Sequence, residues 1–317
     1  MKSDTLILSM NWIFPSTTSL GDRDCKRDIL ATSDSEGDIV LHYFSTPEYK
    51  YQNLSRLPKT SKHSDQAWCV AWTVDTKNFD RPILLSGGDD FQLLKHEFLR
   101  CIQQNGTPFV KLLSTEADCK THMAGVTAIM PFPFYATEER LLVLTGSYDD
   151  HVRVYNVGDK KRRVLCELNL GGGVWKLRIL RDIAKEQMIL AKKDIIGFEK
   201  EAENRRKSEL ASEYAKVHPL ACRRSQVPEP PPDPTVPLHF LVIASCMYAG
   251  VRILDIQRDG QKNWSIEVVG KFEEGKSMAY AASASPLTDG DGQRYKGRVM
   301  CASTSFYDEK GFVWIWK

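Results

Sequence analysis

One motif, repeated five times, constrains the fold of this chain more than any other feature of its sequence. In each copy an apolar run ends in small residues. A turn of acidic or small residues follows, and after it comes a second run in which apolar residues alternate with other residues. Three copies resemble one another closely and two are looser, at 30–34, 85–90, 144–150, 243–246 and 301–308. Repeats with a period of about 40–50 residues plus loop decoration are typical of propeller blades. The sequence therefore predicts an all-β propeller.

Each repeat contains the same predicted order of strands. Inner strands are predicted at 6–12, 67–72, 125–130, 173–179 and 278–284, and alternating third strands at 39–43, 152–157, 251–256 and 312–316. Small residues on the second strand would let neighbouring sheets approach closely near the crowded axis. We predict one domain over 1–317, with blades at about 6–60, 61–118, 119–170, 171–270 and 271–317.

Two stretches depart from the repeat. Residues 182–236 combine a segment rich in charge and alanine with a proline-rich segment, which predicts a surface insertion within the fourth blade. The last repeat stops on its third strand, at Trp316 and Lys317. In closed propellers the N-terminal segment often supplies the missing outer strand, but the first inner strand already begins at Leu6. We therefore expect about two further blades upstream of Met1.

Composition excludes several classes of function. The chain has 43 basic and 41 acidic residues, a formal charge of +2, so no domain-wide basic surface predicts nucleic acid as a partner. No apolar run approaches the roughly 18 residues of a membrane span, and no membrane partner is expected. The eight cysteines form no C-x-x-C pair, which favours a reducing, cytoplasmic location. No metal-binding or cofactor motif is present, and we expect neither group.

His122 and Asp149 invite two interpretations. With Ser147 nearby, they have the residue types of a hydrolytic triad. In WD repeats, however, a His before the inner strand bonds an Asp in the turn and a Ser on the second strand, and an aromatic residue completes that structural network. His63 and Asp90 are predicted to form the same network in the preceding blade.

Two glycine motifs also require interpretation. Residues 270–277 match the letters of a phosphate-binding P-loop, but a strand is predicted directly after them, where a P-loop needs a helix. Nucleotide binding is therefore not expected. Gly171, Gly172 and Gly173 lie where other blades have a polar turn. Their amides are either oxyanion donors or part of a tight turn at the axis.

Seven short sequence strings, which occur in a fixed order along the chain, resemble those of a known protein family. The strings are SGGDD at 86–90, HMAGV at 122–126, TGSYDD at 145–150 and GGVWKL at 172–177, followed by ASCM, SMAY and SFYD at 244–247, 277–280 and 305–308. Together they resemble the WD-repeat diphthine methyl ester hydrolases, also called diphthine methyltransferases, of the diphthamide pathway. The resemblance implies a seven-bladed propeller, of which about five blades are present here.

The resemblance also implies an activity and a partner. It implies a carboxyl-ester hydrolase that removes the methyl ester of methylated diphthine on elongation factor 2. His122 or Asp149 is then the expected base, and the Gly171, Gly172 and Gly173 amides are the expected oxyanion donors. Tyr148, Trp175 and Tyr307 are expected to line the substrate pocket. The alternative is a non-catalytic WD-repeat adaptor, because many propellers of this type are scaffolds.

Overall fold

A computed structural model describes residues 5–13, 29–45, 50–75, 78–102, 108–132, 142–158, 163–183, 238–275, 277–288 and 294–317. These residues form five antiparallel sheets. The first contains β1 (Ile7–Ile13), β2 (Ile29–Asp34), β3 (Ile39–Ser45) and β4 (Lys50–Arg56). The second contains β5 (Ala67–Asp75), β6 (Asn78–Gly88), β7 (Leu93–Ile102) and β8 (Pro108–Asp118).

The third sheet contains β9 (Val126–Pro131), β10 (Leu142–Ser147), β11 (His151–Asn156) and β12 (Val164–Asn169). The fourth contains β13 (Val174–Asp182), β14 (Leu238–Cys246), β15 (Gly250–Arg258) and β16 (Trp264–Phe272). The fifth contains β17 (Ala279–Thr288), β18 (Arg294–Ser305) and β19 (Lys310–Trp316). Apart from its first two residues, the insertion predicted over 182–236 lies outside the described residues.

The five sheets are arranged as propeller blades. In each sheet the strands follow one another in chain order, and the first strand of each sheet contacts the first strand of the next. Side chains on β1 bond the backbone of β5: Ser9 Oγ accepts from the Val70 N–H at 3.3 Å and Asn11 Oδ1 from the Trp72 N–H at 3.0 Å. The all-β propeller fold and the five predicted inner strands are confirmed.

Glycines on the second strands explain how closely the blades approach. A Cβ on Gly87 would lie 2.6 Å from Val126 Cγ1, and a Cβ on Gly146 would lie 2.5 Å from Val174 Cγ1. Val126 and Val174 are the first residues of the next inner strands, β9 and β13. The expectation that small residues permit close contact near the axis is therefore confirmed at these two strands.

A buried apolar layer lies between each pair of neighbouring sheets. Between the third and fourth sheets, for example, the rings of Phe132 and Phe240 lie 5.2 Å apart. Blades of this kind cannot bury their apolar faces alone, so stacking supplies the core. The described cysteines are free, and Cys69, Cys246 and Cys301 are buried in these layers.

A β-bulge follows the first residue of every inner strand. The pairing register skips one residue in each case: Leu8, Trp68, Thr127, Trp175 and Tyr280. Bulges re-aim side chains and are frequent beside functional sites. Because the inner strands run side by side in the same direction, the five bulged positions lie at one end of the sheets. We call this the upper end.

Blade two contains the structural network predicted for His63. Its Nδ1 lies 2.8 Å from Asp90 Oδ1 and its Nε2 lies 2.9 Å from Ser86 Oγ. Ser86 Oγ in turn lies 3.0 Å from His96 Nε2. This connectivity resembles a catalytic triad, but His63, Ser86 and His96 are all fully buried. No substrate reaches Ser86, so the network stabilises the blade.

The P-loop letters form no phosphate site. Gly270, Lys271 and Phe272 end strand β16, and β17 begins at Ala279, two residues after Ser277. Ser277 Oγ accepts the Tyr307 N–H at 2.8 Å, which ties the chain to the next turn. A P-loop needs a helix whose N-terminus faces the phosphate, and a strand cannot provide one.

Candidate functional site

The upper end brings four aromatic side chains together. Trp68, Trp175 and Tyr280 occupy the bulged positions of β5, β13 and β17. Tyr148 directly follows β10, at the same end of the third sheet. We call these four residues the aromatic cluster. It spans four consecutive sheets, because each member comes from a different one.

Trp175 lies at the centre of the aromatic cluster. Its ring centroid lies 5.2 Å from that of Trp68, 5.7 Å from that of Tyr148 and 5.4 Å from that of Tyr280. Tyr148 stacks on Trp175 at an interplanar angle of 27°. Tyr280 continues the row to Phe306, 5.2 Å away. These distances are favourable for aromatic pairs, so the rings hold one another in place.

The aromatic cluster runs from a buried floor to an exposed rim. Trp175 is 8% exposed and Tyr280 is 39% exposed. The indole N–H of Trp68 interacts with the Asp89 carboxylate, whereas the indole nitrogen of Trp175 is buried and has no hydrogen-bond partner among the described residues. Trp72, Trp264 and Trp314 share this property elsewhere in the fold. Trp175 differs from these three by lying among rings that reach the surface, where a ligand can supply the acceptor.

Asp89 adds a carboxylate to the site. It follows β6, and its N–H donates to the Gln66 carbonyl at 2.9 Å. A Cβ on Gly125 would lie 2.5 Å from Asp89 Oδ1 and 3.1 Å from the Tyr148 ring. Glycine at 125 therefore allows the carboxylate and the phenol ring to approach each other across the second and third sheets.

The surroundings of Asp89 make it a better base than an ordinary aspartate. Burial raises its pKa, and the charges of Asp65 and Asp90 raise it further, while the nearby Trp68 indole lowers it in part. Burial, followed by the charge of Asp89, also raises the pKa of the Tyr148 hydroxyl. A carboxylate with a raised pKa is suited to accept a proton near neutral pH.

Lys176 and Cys69 complete the polar groups at the site. Lys176 Nζ lies 5.7 Å from the centroid of the Trp175 ring, within the range of a cation–π contact. Burial raises the pKa of the Cys69 thiol to about 12, although Lys176 partly offsets this effect. Cys69 is therefore protonated at neutral pH and is a poor nucleophile.

The chain is similar in sequence to several curated proteins. Diphthine methyltransferase of Mus musculus is 24% identical over 287 residues, covering 90% of this chain and 43% of the mouse protein. The protein of that name from Homo sapiens is 25% identical over 288 residues, covering 90% of this chain and 46% of the human protein. The chain is a homologue of diphthine methyltransferases.

This homology confirms the resemblance predicted from the ordered strings. The diphthine methyltransferase homolog of Dictyostelium discoideum is 26% identical over 178 residues, covering 56% of this chain and 42% of that protein. The chain thus spans less than half the length of the curated diphthine methyltransferases it matches. The name of these relatives describes a methyltransferase that acts on diphthine.

The chain is also similar to two solved structures. Sqt1 of Chaetomium thermophilum matches with a TM-score of 0.44 and 12% identity, covering 87% of this chain and 51% of that one. Saccharomyces cerevisiae Sqt1 matches with a TM-score of 0.44 and 9% identity, covering 90% and 69%. No family model matches the chain. Among the described residues, no helix is long and apolar enough to cross a membrane.

His122 lies inside the third blade. It is 2% exposed, its Nε2 lies 3.0 Å from Thr145 Oγ1, and its Nδ1 has no hydrogen-bond partner in the part of the chain that the structure describes. The bond predicted between His122 and Asp149 is therefore not formed among the described side chains, and the second-strand partner of His122 is Thr145. Burial and the charge of Arg153 lower the pKa of His122 to about 4. At neutral pH its imidazole is uncharged and shielded from solvent.

Asp149 is engaged by its own turn. Arg153 donates to Asp149 Oδ1 at 2.9 Å, and the Met123 N–H donates to Oδ2 at 2.9 Å. Burial raises the pKa of Asp149, but these donors outweigh it and hold the pKa below its ordinary value. A carboxylate stabilised in this way is a weak base. In the geometry described, Asp149 fixes the turn above β10.

The three glycines differ in their surroundings. The Gly171 N–H donates to Asn169 Oδ1 at 2.8 Å, so this amide is already used. A Cβ on Gly172 would lie 2.9 Å from Ala249 Cβ, and one on Gly173 would lie 3.0 Å from Tyr148 Cδ1. Gly172 and Gly173 thus permit close packing beneath the aromatic cluster, as the tight-turn interpretation predicts.

Two of the three predicted pocket aromatics lie in the cluster. Tyr148 and Trp175 are its core, whereas Tyr307 is 70% exposed and contacts only the rim residue Phe306 among the described rings, at 5.1 Å. Sequence reasoning missed Trp68, Tyr280 and Asp89. The available signal was the second position of each inner strand, which is aromatic in three of the five blades.

Proposed function

We propose that this protein is a carboxyl-ester hydrolase that removes the methyl ester of methylated diphthine on elongation factor 2. Homology to diphthine methyltransferases supports the pathway, and the aromatic cluster with Asp89 supports the chemistry. The observation that carries the proposal is a half-buried carboxylate of raised pKa near the buried indole donor of Trp175, which has no hydrogen-bond partner among the described residues. Acyl transfer needs a base and donors to the oxyanion, and both are present here.

Asp89 would act as the general base. It takes a proton from a water molecule as the water oxygen attacks the ester carbonyl carbon. The tetrahedral intermediate then collapses, the bond to the methoxy oxygen breaks, and Asp89 returns the proton to the leaving methanol. The products are methanol and the free carboxylic acid of diphthine, which ionises. Asp89 ends the cycle as a carboxylate, so no co-reactant is needed.

The Trp175 N–H would stabilise the oxyanion. Its nitrogen is buried and has no acceptor among the described residues, so donating to the carbonyl oxygen breaks no bond that they form. Lys176 adds a positive charge near the same ring. Removing one oxyanion donor typically lowers kcat by about 10²–10³-fold.

Mass spectrometry of the substrate tests the proposal. Purified protein is incubated with elongation factor 2 that bears methylated diphthine, and loss of the methyl group is followed over time. Asp89→Asn is expected to lower the rate at least about 100-fold, because the base is lost. The control Glu267→Gln changes an exposed carboxylate on the outer strand β16 and should retain the rate. Equal rates for Asp89→Asn and the unsubstituted protein would reject Asp89 as base.

The adaptor alternative has its own supporting observation. Met123, Tyr248 and Tyr307 project at the upper end and are 76%, 75% and 70% exposed. Exposed apolar side chains grouped at one end are typical of a protein-binding surface. Retention of the methyl ester together with stable binding of elongation factor 2 would favour the adaptor over the hydrolase.

A further inference from the structure

We propose that Lys176 and Arg178, two exposed cations on the inner strand β13, form a second binding site, which binds a phosphoryl group. Ser283 of the neighbouring inner strand β17 completes it, and we call these three residues the axial site. The inference goes beyond the proposed function, because it concerns a second ligand and is tested without the ester substrate.

The two cations project from the same face of β13, because alternate residues of a strand share a face. Leu177 and Ile179 pack into the core between the third and fourth sheets. Lys176 and Arg178 therefore project from the opposite face, where β17 is the neighbouring inner strand. Arg178 Nη1 donates to Ser283 Oγ at 2.6 Å, which holds the guanidinium across the gap between the two strands.

The cations of the axial site lack carboxylate partners. Other arginines of the sheets pair with an acidic side chain, as at Arg56, Arg153 and Arg252. Among the described residues no acidic side chain pairs with Lys176 or Arg178, and the flanking strands β9 and β17 contain none. Asp182, on β13 itself, pairs in the ladder with Phe240, whose ring lies in the core on the other face. Two positive charges that no neighbour neutralises attract an anion.

The polar groups of the axial site can all donate hydrogen bonds. Lysine and arginine side chains have no acceptor, and Ser283 Oγ already accepts from Arg178, so its hydroxyl proton is available. Ser245 lies directly opposite Lys176 in the β13–β14 ladder, is 1% exposed, and its Oγ has no hydrogen-bond partner among the described residues. Buried hydroxyls normally have partners, so this one marks a place where a bound group completes the bonding.

The number of donors favours a phosphoryl group over a single carboxylate. A phosphoryl group on a side chain carries a charge of about −1.5 to −2 at pH 7 and three acceptor oxygens. Two cations and the hydroxyl of Ser283 match both properties. A carboxylate has one charge and two oxygens, so it would leave one cation without a partner. Arginine and lysine are the side chains that most often bind phosphate in proteins.

The axial site is separated from the acidic turns of the upper end. In four of the five sheets the turn between the second and third strands carries two acidic residues and no basic one, at 35–38, 89–92, 148–150 and 306–309. Arg178 lies three residues along β13 from Trp175, roughly 10 Å away by the rise of a strand. This is about one Debye length at physiological salt, so the exposed turns repel an anion only weakly at Arg178.

Binding of inorganic phosphate tests the inference on the whole chain. Sodium phosphate at pH 7.5 is titrated by isothermal calorimetry, with the ionic strength held constant by sodium chloride. Phosphate should bind, and the dicarboxylate succinate should bind at least about 5-fold more weakly. Arg178→Gln should weaken phosphate binding at least about 10-fold, and Ser283→Ala about 3-fold to 10-fold, because hydrogen bonds to a charged group are lost.

Matched controls separate a site from general attraction between charges. Arg81→Gln removes an exposed arginine from β6 and should leave phosphate affinity unchanged. Absence of phosphate binding, equal binding of succinate, or unchanged binding by Arg178→Gln and Ser283→Ala, both folded by circular dichroism, would overturn the inference. Binding of O-phospho-L-serine as well supports a phosphorylated side chain as the ligand, and binding of phosphate alone supports a free anion. Ester cleavage without phosphate binding would refute only the axial site.

Discussion

At the scale of the residue, two aspartates at the upper end have pKa values that are shifted in opposite directions. Asp89 and Asp149 follow the second strands of adjacent sheets, yet the pKa of Asp89 is raised and that of Asp149 is lowered. Both are partly buried. The difference lies in their neighbours, since Asp89 has two acidic neighbours and Asp149 has Arg153. Environment therefore distinguishes a base from a structural carboxylate.

Asp65→Asn tests the proposed base through its pH dependence. Asp89 must be ionised to accept a proton, so activity is lost as pH falls through its pKa. Removing the charge of Asp65 lowers that pKa, because Asp65 is one of the groups that raise it. The acid limb of kcat/KM should therefore move to lower pH, as measured from pH 4 to 8. An acid limb that stays in place would contradict the assignment, and Glu267→Gln serves as the control.

Tyr155→Phe tests a buried contact between the second and third sheets. The Tyr155 hydroxyl donates to Asp118 Oδ2 at 2.5 Å, and Arg163 pairs with the same oxygen at 3.0 Å. We expect the free energy of unfolding at pH 7 to fall by about 1.5–3 kcal/mol, as for hydrogen bonds to charged groups. Urea unfolding measures it, and the exposed Tyr248→Phe is the control.

The pH dependence of this contact has a definite sign. Burial raises the pKa of Asp118, but Thr121, Tyr155 and Arg163 outweigh burial and hold the pKa well below its ordinary value. A lowered folded-state pKa gives stability that is full above the ordinary carboxyl pKa and is lost as pH falls through the lowered value. The effect of Tyr155→Phe should shrink in acid, and an effect independent of pH would contradict this account.

At the scale of the element, the first two residues of the inner strands β9 and β13 have different tasks. The first residue packs against the preceding blade, as Val126 does against Gly87 and Val174 against Gly146. The second is bulged, and in three blades it presents an aromatic ring. The β-bulge therefore places a residue that packs between blades directly before a residue that faces the site.

Gly146→Ala tests the packing task. The added methyl group would lie 2.5 Å from Val174 Cγ1 and 2.8 Å from its Cβ, so β13 must shift. Overpacking of this kind costs about 1–3 kcal/mol of unfolding free energy. Gly260→Ala is the matched control, since nothing lies within 4 Å of its added Cβ. Thermal and urea unfolding of both variants provide the measurement, and equal stability would show that the blades are not in close contact at Gly146.

At the scale of the whole molecule, a nearly neutral chain has an uneven distribution of charge. The formal charge is only +2, yet four of the five upper-end turns carry paired acidic residues without a basic one. Elsewhere, basic residues balance this excess. Net charge alone therefore conceals the acidic end that surrounds the aromatic cluster.

The acidic upper end predicts association that depends on salt. If a cationic substrate segment binds there, raising the sodium chloride concentration from 50 to 500 mM should slow its association several-fold, since screening reduces attraction between exposed charges. Stopped-flow fluorescence with elongation factor 2 measures the rate constant. The dissociation rate should change less. Association that is insensitive to salt would exclude the acidic turns from substrate capture.

The strand pattern of the propeller was predictable, and the chemistry only partly. Alternating apolar residues are local, and the repeated small-residue motif marked five second strands, so the first residue of each inner strand was located to within one residue, whereas three of the strands extend three or four residues beyond the predicted end. Tyr148 and Trp175 were predicted for the site because they adjoin conspicuous motifs. Asp89 was overlooked because Asp90, its neighbour, matched the structural network with His63.

The sequence by itself determined that this chain forms a series of β blades, because hydrophobic periodicity and small residues act between neighbours in the chain. Only the tertiary structure decided which polar groups are available for chemistry. His122 and Ser86 have the residue types of a hydrolase but are buried, whereas Trp68 and Asp89 come from different strands of the second sheet and Tyr280 comes from the fifth. Exposure and pKa depend on contacts between residues far apart in sequence, and those contacts exist only once the blades have stacked.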